Sequence, residues 1–343
     1  MLKYLSVISL ALSVTALNAA DDPWTVNFHL ENDLFANTDL NYTNGIRASW
    51  ISPDLTDYVS ANEQTYPWLS SINDLLEPLH PNISSSEKVH RNIVFSVGQL
   101  IFTPEDRERT TVDEDDRPYA GWLYGGIGYQ ARTNDKLHSF EFNLGMVGPA
   151  SLAQESQNLV HDIRGIERFE GWDNQLNNEL GIQMVFERKR RFKPFSGYIA
   201  NNVSTDIITH WGGSLGNVAT YVNGGAQLRV GWNLPNDFGV STLRPGGDGN
   251  NPGLGDPMSR EFQIHAFIAG DTRYVGRNIF LDGNTFSNSH SVDKKRLVAD
   301  IIVGVSTSYQ RWNVGYSQVY RTKEFKTQER AQEYGSLFVS YSY

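Results

Sequence analysis

The chain has 343 residues, with 29 Lys and Arg against 39 Asp and Glu, so its formal net charge is −10. This acidic balance argues against a nucleic-acid-binding protein, which needs a basic face to replace the counterions of the phosphates. The lack of cysteine excludes disulfide frameworks, thiol nucleophiles and cysteine-ligated zinc.

The first twenty residues have the pattern of a secretory signal peptide. Lys3 precedes an apolar run that extends from Tyr4 to Leu17, and small residues follow at Ala19 and Ala20. The run is shorter than the ~20 apolar residues of a membrane-spanning helix, and no later stretch of the sequence reaches ~18. We therefore predict a signal peptide at 1–20 and one exported domain at 21–343.

Beyond the signal peptide, apolar and polar residues alternate repeatedly with a period of two, which is typical of strands with two different faces. In the first run, Val26, Phe28 and Leu30 alternate with Asn27 and His29. The pattern predicts twelve strands, an even number as in single-chain outer-membrane barrels. The predicted strands lie near 24–33, 42–52, 91–102, 117–132, 136–147, 177–190, 195–206, 217–233, 260–271, 296–309, 310–321 and 334–343.

The last run ends the chain on an aromatic residue. Leu337, Val339, Tyr341 and Tyr343 share one face of it, and this ending resembles the assembly signal of bacterial outer-membrane barrels. A soluble β-sandwich would show the same alternation, but the signal peptide and the aromatic strand ends favour the membrane barrel. We predict an all-β fold, a twelve-stranded antiparallel transmembrane β-barrel with a short helix in an outer loop.

The predicted topology gathers several polar residues at one rim of the barrel. With both termini in the periplasm, the loops after the odd-numbered strands face outward. Asn32 and Asp33 then end the first strand at the outer side, and Thr43 begins the second strand there. We expect them to meet loop 148–176 at the outer rim. The six predicted outer loops are 34–41, 103–116, 148–176, 207–216, 272–295 and 322–333.

Loop 148–176 contains a predicted short helix. Ser151 is a candidate N-cap, Gly165 fits the helix end, and His161 falls near that end with Glu167 on the following turn. A histidine beside carboxylates can act as a base near neutral pH, and carboxylate oxygens suit a hard cation such as Ca²⁺. On this pattern alone, a lone loop histidine is more often a surface residue. The predicted apolar face of this helix comprises Leu152, Leu159, Val160 and Ile163.

These residues resemble a known family, the outer-membrane lipid A 3′-O-deacylases of Gram-negative bacteria. The likeness begins at His29–Asp33, continues through Thr38–Gly45 and recurs at Asp116-Arg117. It is strongest in loop 148–176 and covers mainly the first half of the exported chain. The matching residues in that loop are Gly148, Pro149, Gln154 to Asn158, His161, Gly165 to Glu167 and Trp172.

The resemblance implies a twelve-stranded barrel that hydrolyses the acyloxyacyl chain at the 3′ position of lipid A with the help of Ca²⁺. It implies that His161 activates water and that Asp33 and Glu167, assisted by Asn32, bind the ion, while Thr43 orients the histidine or the ester. The implied partners are lipopolysaccharide, whose lipid A is the substrate, and the outer membrane. We expect a monomer and no nucleic-acid partner.

Two other functions stay open at this point. An outer-membrane phospholipase would need a serine nucleophile beside a histidine on the barrel wall, and the sequence offers no convincing pair. In a porin or structural barrel, the polar rim residues would have no catalytic role. A serine-directed inhibitor would distinguish the two enzymes, since a water-activating site should be insensitive to it.

Some further motifs lead to expectations about loops. Gly212–Gly216 matches the G-x-S-x-G pattern of α/β-hydrolases, but that motif needs a strand-to-helix turn, and we predict a glycine-rich outer loop. The long segment 53–89 is larger than the resemblance implies, with a short helix predicted around 67–79, and a flexible turn is predicted at 245–257. Basic residues in predicted outer loops could contact lipid A phosphates or be ordinary surface charge: Arg273, Arg277, Lys323, Lys326 and Arg330.

Overall fold

The computed structural model describes residues 23–33, 41–55, 71, 89–193, 202–239 and 261–343. Within these residues it is a closed barrel of twelve strands, in which each strand pairs antiparallel with its neighbours in sequence and the last pairs with the first. The strands are β1 (Thr25–Asn32), β2 (Asn41–Ile51), β3 (His90–Thr103), β4 (Ala120–Arg132), β5 (Lys136–Val147), β6 (Glu179–Phe192), β7 (Val203–Gly216), β8 (Ala219–Trp232), β9 (Gln263–Asn278), β10 (Leu297–Tyr309), β11 (Trp312–Arg321) and β12 (Gln332–Ser342).

The predicted strand alternation corresponds to the two faces of the barrel wall. In β1, Phe28 is 40% exposed, whereas its neighbours His29 and Glu31 are buried. Cross-strand partners share a face, so the outward side carries an exposed apolar belt that includes Phe95, Val97 and Ile127. An apolar outer belt around a polar interior is what a barrel presents in a bilayer. The predicted twelve-stranded membrane barrel is therefore confirmed.

Two α-helices lie in the described part of the loops. Helix α1 (Ala153–Arg164) connects β5 to β6, and helix α2 (Ile279–Asp282) follows β9 directly. Across the described ranges, none of the helices has the length and apolar character needed to cross a membrane. The predicted signal peptide, the turn at 245–257 and, apart from Ser71, the helix around 67–79 lie outside the described residues.

The seventh strand corrects the predicted topology. The predictions of a strand at 195–206 and an outer loop at 207–216 are wrong, because β7 covers Val203–Gly216. Glycine here indicates crowding inside the sheet: a Cβ at Gly212 would collide with the carbonyl oxygen of Phe186, and one at Gly216 with that of Ile182. The G-x-S-x-G segment is therefore a strand end.

The ninth strand also extends beyond its predicted end at 271. Because β9 continues to Asn278, the predicted outer loop 272–295 begins later, and Arg273 and Arg277 belong to the strand. Arg273 is buried, and its Nη2 donates to both carboxylate oxygens of Asp300 at 3.1 and 3.0 Å. Its interpretation as an outer-loop residue is therefore wrong.

Side chains cross and fill the interior of the barrel. Phe280 of α2 is fully buried and stacks on Phe102 of β3, with ring centroids 4.2 Å apart. Strands β9 and β3 lie on opposite sides of the ring of twelve, so this contact spans the interior near the outer rim. Deeper inside, Arg47 of β2 donates to both carboxylate oxygens of Glu141 on β5 at 2.9 and 2.8 Å.

Candidate functional site

Helix α1 lies against the outward face of the barrel wall. A turn of 3-10 helix (Pro149–Ser151) leads into it, and Ser151 and Ala153 lie so close to Gly121 that a Cβ at this glycine would collide with both. Gly121 alternates with the interior residue Trp122, and its cross-strand partner is Ile101 of β3. The helix therefore covers the outward side of the ends of β3 and β4, with Gln99 Nε2 donating to the Ser151 carbonyl at 2.6 Å.

The start of α1 differs from the prediction. The N-cap is Leu152, in a left-handed conformation with φ of 57°, and no side chain caps the helix, so the prediction of a Ser151 cap is wrong. Its end is as predicted: Gly165 adopts a left-handed conformation with φ of 66° and donates its N–H to the His161 carbonyl. Glycine is favoured there because it adopts positive φ without steric cost.

The buried face of α1 consists of Ala153, Gln157 and His161, which follow one another at intervals of four residues. Ala153 packs in an apolar cluster with Ile101 of β3 and with Tyr119, Phe169 and Trp172 from the loops. Trp172 Nε1 donates to Gln157 Oε1 at 3.0 Å, which ties the chain after the helix back to its centre. The apolar residues Leu152, Leu159 and Ile163 lie on the exposed side instead.

His161 is 1% exposed and its ring is oriented by two contacts. Its Nδ1 lies 2.5 Å from the Glu167 carbonyl oxygen, and its ring meets the Phe169 ring edge to face at 5.7 Å. A carbonyl oxygen can only accept, so Nδ1 carries the hydrogen of this bond. In the neutral imidazole, Nε2 then holds the lone pair and is the basic nitrogen.

Asn32 lies on the same outward face as α1. It pairs across strands with Asn44, Asn44 with Ile101, and Ile101 with Gly121, so these four residues form one row along the rim. With ~4.8 Å between strands, Asn32 and Gly121 are about 14 Å apart. Asn32 and Asn44 are 8% and 6% exposed, although Phe28, four residues before Asn32 on the same face of β1, is 40% exposed.

The other predicted site residues lie at the same rim. Asp33 follows β1 directly and is fully buried. Thr43 lies in β2, where the register to β3 shifts between Tyr42 and Asn44, and only its backbone is described. Glu167 contributes its main-chain carbonyl to His161, whereas its side chain is exposed.

The donors at this rim are mostly oxygen atoms. In the described ranges, no group of three or more histidine, aspartate or glutamate side chains is close enough to hold a metal ion. The buried Oδ1 atoms of Asn44 and Asn158 accept no hydrogen bond from the described residues. Ca²⁺ takes many of its ligands from amide and main-chain oxygens, so this donor set suits a hard cation held with few carboxylates.

Two participants were missed by the sequence prediction. Gln157 precedes His161 by one helical turn, so helical periodicity places the two on the same face. In the sequence we applied this periodicity only to apolar residues. Asn44 belongs to a motif that carried the resemblance, yet its place beside Asn32 depends on the pairing of β1 with β2.

A second histidine contacts a main-chain carbonyl elsewhere on the outer rim. His290, in the loop between α2 and β10, lies with Nε2 2.6 Å from the Asp116 carbonyl oxygen. It borders a small cleft that is also lined by Arg109, Asp113 and Tyr119, but by none of the predicted site residues. Burial raises the pKa of Asp116, although the N–H groups of Glu105 and Arg117 donate to it.

The comparisons with known proteins are consistent with this architecture. A family model described as "Outer membrane protein LpxR" matches residues 5–343. No curated protein matches the sequence. LpxR from Salmonella typhimurium is similar with a TM-score of 0.68 and 19% identity, over 93% of this chain and 100% of that one. The β domain of the Bordetella autotransporter Brka has a TM-score of 0.43 and 10% identity, over 94% of this chain and 99% of that one.

Proposed function

The chain belongs to the LpxR family of outer membrane proteins, and we propose that it is an ester hydrolase that removes the 3′-linked acyloxyacyl chain of lipid A. Its localisation is the outer membrane of a Gram-negative bacterium. Lipopolysaccharide occupies the outer leaflet, at the level of the rim that carries α1, Asn32 and Asp33.

The observation that carries this proposal is the orientation of His161. The Glu167 carbonyl fixes the hydrogen on Nδ1, which makes Nε2 the proton acceptor. A buried, oriented imidazole can take a proton from water as the water attacks an ester carbonyl, and can return it to the leaving alkoxide. This role needs neither a serine nor a cysteine nucleophile.

The position of α1 supports a lipid substrate. The helix rises about 1.5 Å per residue, so His161 lies about 12 Å along the axis from Ala153, which packs at Gly121. In the proposed site the axis of α1 runs toward Asn32, which lies about 14 Å from Gly121. A site between α1 and the outward wall would open sideways to the leaflet, where a membrane-anchored ester can enter without leaving the bilayer.

We further propose that the site uses Ca²⁺. Asp33 and Glu167 are the proposed carboxylate ligands, with Asn32 as an amide ligand, and Thr43 is proposed to orient the histidine or the ester. When bound, such an ion would stabilise the negative charge that develops on the ester oxygen. The buried carboxyl group of Asp33 and the buried amide group of Asn32 suit this role, because Ca²⁺ prefers oxygen ligands.

The filled interior argues against the porin alternative. The Phe280–Phe102 stack and the Arg47–Glu141 ion pair both cross the space through which solutes would pass. A diffusion channel would need this space to be filled with water.

The test is mass spectrometry of purified lipid A incubated with the detergent-solubilised protein, with Ca²⁺ or with a chelator. We expect loss of the 3′-linked acyloxyacyl chain with Ca²⁺ only. His161→Ala should abolish it, whereas the matched control His290→Ala should keep it, because that histidine binds a carbonyl on a different loop. Cleavage of phospholipid with intact lipid A would favour the phospholipase, and no cleavage of either lipid would contradict the enzyme.

A further inference from the structure

The exposed side of α1 is apolar. Leu152 at its start is 52% exposed, Leu159 is 58% exposed and Ile163 is 76% exposed. At about 100° per residue, Leu159 and Ile163 lie within a narrow sector, away from the side formed by Ala153, Gln157 and His161. Leu152 is the exposed N-cap residue just before the first turn. The three exposed residues are three of the four residues of the predicted apolar face, and the fourth, Val160, is half-buried.

The helix therefore has three faces. One packs on the wall, one is the apolar sector, and the third is polar and consists of Gln154, Glu155, Asn158 and Asp162. On the polar face Glu155 and Asp162 are exposed, and Asp162 forms an ion pair with Arg168, which lowers the pKa of Asp162. A loop helix between a protein wall and water needs only two faces, whereas a third, apolar face is expected of a helix that also borders lipid.

The apolar sector is close to the outward belt of the barrel. Below Ile101 and Gly121, which α1 covers, the next outward pair is Gln99 and Leu123, and below that lie Val97 and Gly125. Each step down a strand face is about 7 Å, so α1 lies one to two steps above Val97, which is 44% exposed. The surface that contains Val97 faces the hydrocarbon of the outer membrane.

We propose that α1 is a membrane-contacting helix, whose residues Leu152, Leu159 and Ile163 insert among the acyl chains of the outer leaflet. The occupant of this face is lipid, because the helix rests on the same outward surface as the lipid-facing belt. If the proposed function holds, α1 forms one edge of a lateral entrance, and its apolar side guides acyl chains of the substrate toward His161.

The lack of native cysteine allows a direct test. Single variants Leu159→Cys and Ile163→Cys are labelled with an environment-sensitive fluorophore and reconstituted in phosphatidylcholine vesicles whose acyl chains carry bromine. Val97→Cys on the belt is the positive control, and Glu155→Cys on the polar face of the same helix is the matched control. We expect blue-shifted, quenched emission at 159, 163 and 97, and water-like, unquenched emission at 155.

Water-like emission at 159 and 163 would overturn the proposal. So would unquenched, blue-shifted emission of the labelled protein together with disulfide-linked dimers of the unlabelled Ile163→Cys variant, because a second copy would then cover the face. Both readouts are independent of catalysis, so they can succeed even if the proposed function fails.

A second experiment tests the lateral entrance. The double variant Leu159→Gln/Ile163→Gln should lose most hydrolysis of lipid A embedded in vesicles, while it should keep hydrolysis of lipid A in detergent micelles. Equal activity of the variant and the wild type in vesicles would contradict a role of this face in substrate access. Loss in both systems would indicate damage to the site itself.

Discussion

The two described loop helices, α1 and α2, meet the same barrel wall from opposite sides. Helix α1 packs its Ala153 side on the outward surface of β3 and β4 and exposes Leu159 and Ile163. Helix α2 instead inserts Phe280 into the interior, where it stacks on Phe102. The apolar side chains of α1 are exposed where lipid is the neighbour, and those of α2 are buried where protein is the neighbour.

The two helices at this rim therefore have different roles, one in the stability of the barrel and one in the proposed chemistry. The interior helix closes the barrel and contributes packing, so its effect should be on stability. The outward helix carries His161, the proposed base, so its effect should be on chemistry. Each helix offers variants that test one task while the other serves as the reference.

The largest effect on stability is expected for Phe280→Ala. Truncating a fully buried phenylalanine removes its packing and leaves a cavity, which costs about 3–5 kcal/mol in the free energy of unfolding. Phe286→Ala in the same loop is the matched control, because this side chain is 82% exposed. Denaturant unfolding in detergent measures both.

The rate of lipid A hydrolysis per folded molecule should stay at the wild-type level in Phe280→Ala. A large fall in this rate without a loss of stability would mean that α2 belongs to the site, and it would end the division of tasks between the helices.

The sequence predicted what depends on local pattern. Alternation of apolar and polar residues along a strand reflects the different environments of its two faces, lipid outside and polar interior inside. Twelve strands and their faces could therefore be predicted. The end of α1 at Gly165 follows from a single conformational preference. In contrast, Gly212–Gly216 was predicted to be a loop. Glycine occurs both where the backbone must be flexible and where a side chain would collide with a neighbour, and only the neighbouring strand shows which reason applies here.

Part of the candidate site could not be predicted in the same way. That Asn32, Asn44, Ile101 and Gly121 form one row depends on the registers of three strand pairs, which no local pattern contains. Helix periodicity did identify the two sides of α1, but the rule that the apolar side packs inward fails where the surroundings are lipid. The exposed Leu159 and Ile163 are therefore informative about the environment of the helix.

Gly121→Ala tests the outward helix with a single methyl group. A Cβ at this position would collide with Ala153 and Ser151, so α1 must shift on the wall. Small displacements of a catalytic group cost one to two orders of magnitude in rate, and we expect roughly a tenfold fall in lipid A hydrolysis. The control is Gly125→Ala on the same strand face, where the nearest atom to a Cβ is the Ser96 carbonyl oxygen at 3.9 Å.

The thermal midpoints of both glycine variants should stay close to that of the wild type, because the contact with α1 lies outside the barrel interior. If Gly125→Ala lowers the rate as much as Gly121→Ala, the loss would come from the strand and not from the helix.

Trp172→Phe should have a smaller, local effect on α1. It removes the hydrogen bond from Nε1 to Gln157 Oε1 and leaves that buried oxygen without this donor, which costs about 1 kcal/mol. Hydrogen exchange should show faster opening of residues in α1 and unchanged exchange in α2. In a double-mutant cycle with Gln157→Leu, the two effects should be less than additive, and full additivity would contradict the role of this bond.

The smallest expected effect is a loss of folding stability at acidic pH, caused by Glu324 in the loop between β11 and β12. Burial alone would raise the pKa of Glu324, but Arg117, Arg321 and Arg273 together lower it below its usual 4.5, and Arg117 Nη2 donates to it at 2.9 Å. A carboxyl group whose pKa is lower in the folded than in the unfolded state stabilises the fold above pH 4.5, and this stabilisation is lost as the pH falls further. Glu324→Gln should therefore flatten the dependence of the unfolding midpoint on pH below about 4.5.

Asp293 is the control for this test, because it is a carboxyl group at the same rim that is exposed, whereas Glu324 is buried. Lys326 lowers its pKa too, but the two side chains are 67% and 79% exposed, so solvent screens their attraction. Asp293→Asn should leave the pH dependence of unfolding close to that of the wild type. If it flattened the curve as much as Glu324→Gln, the acid sensitivity would arise from surface charge, and the interior under α2 would not be its source.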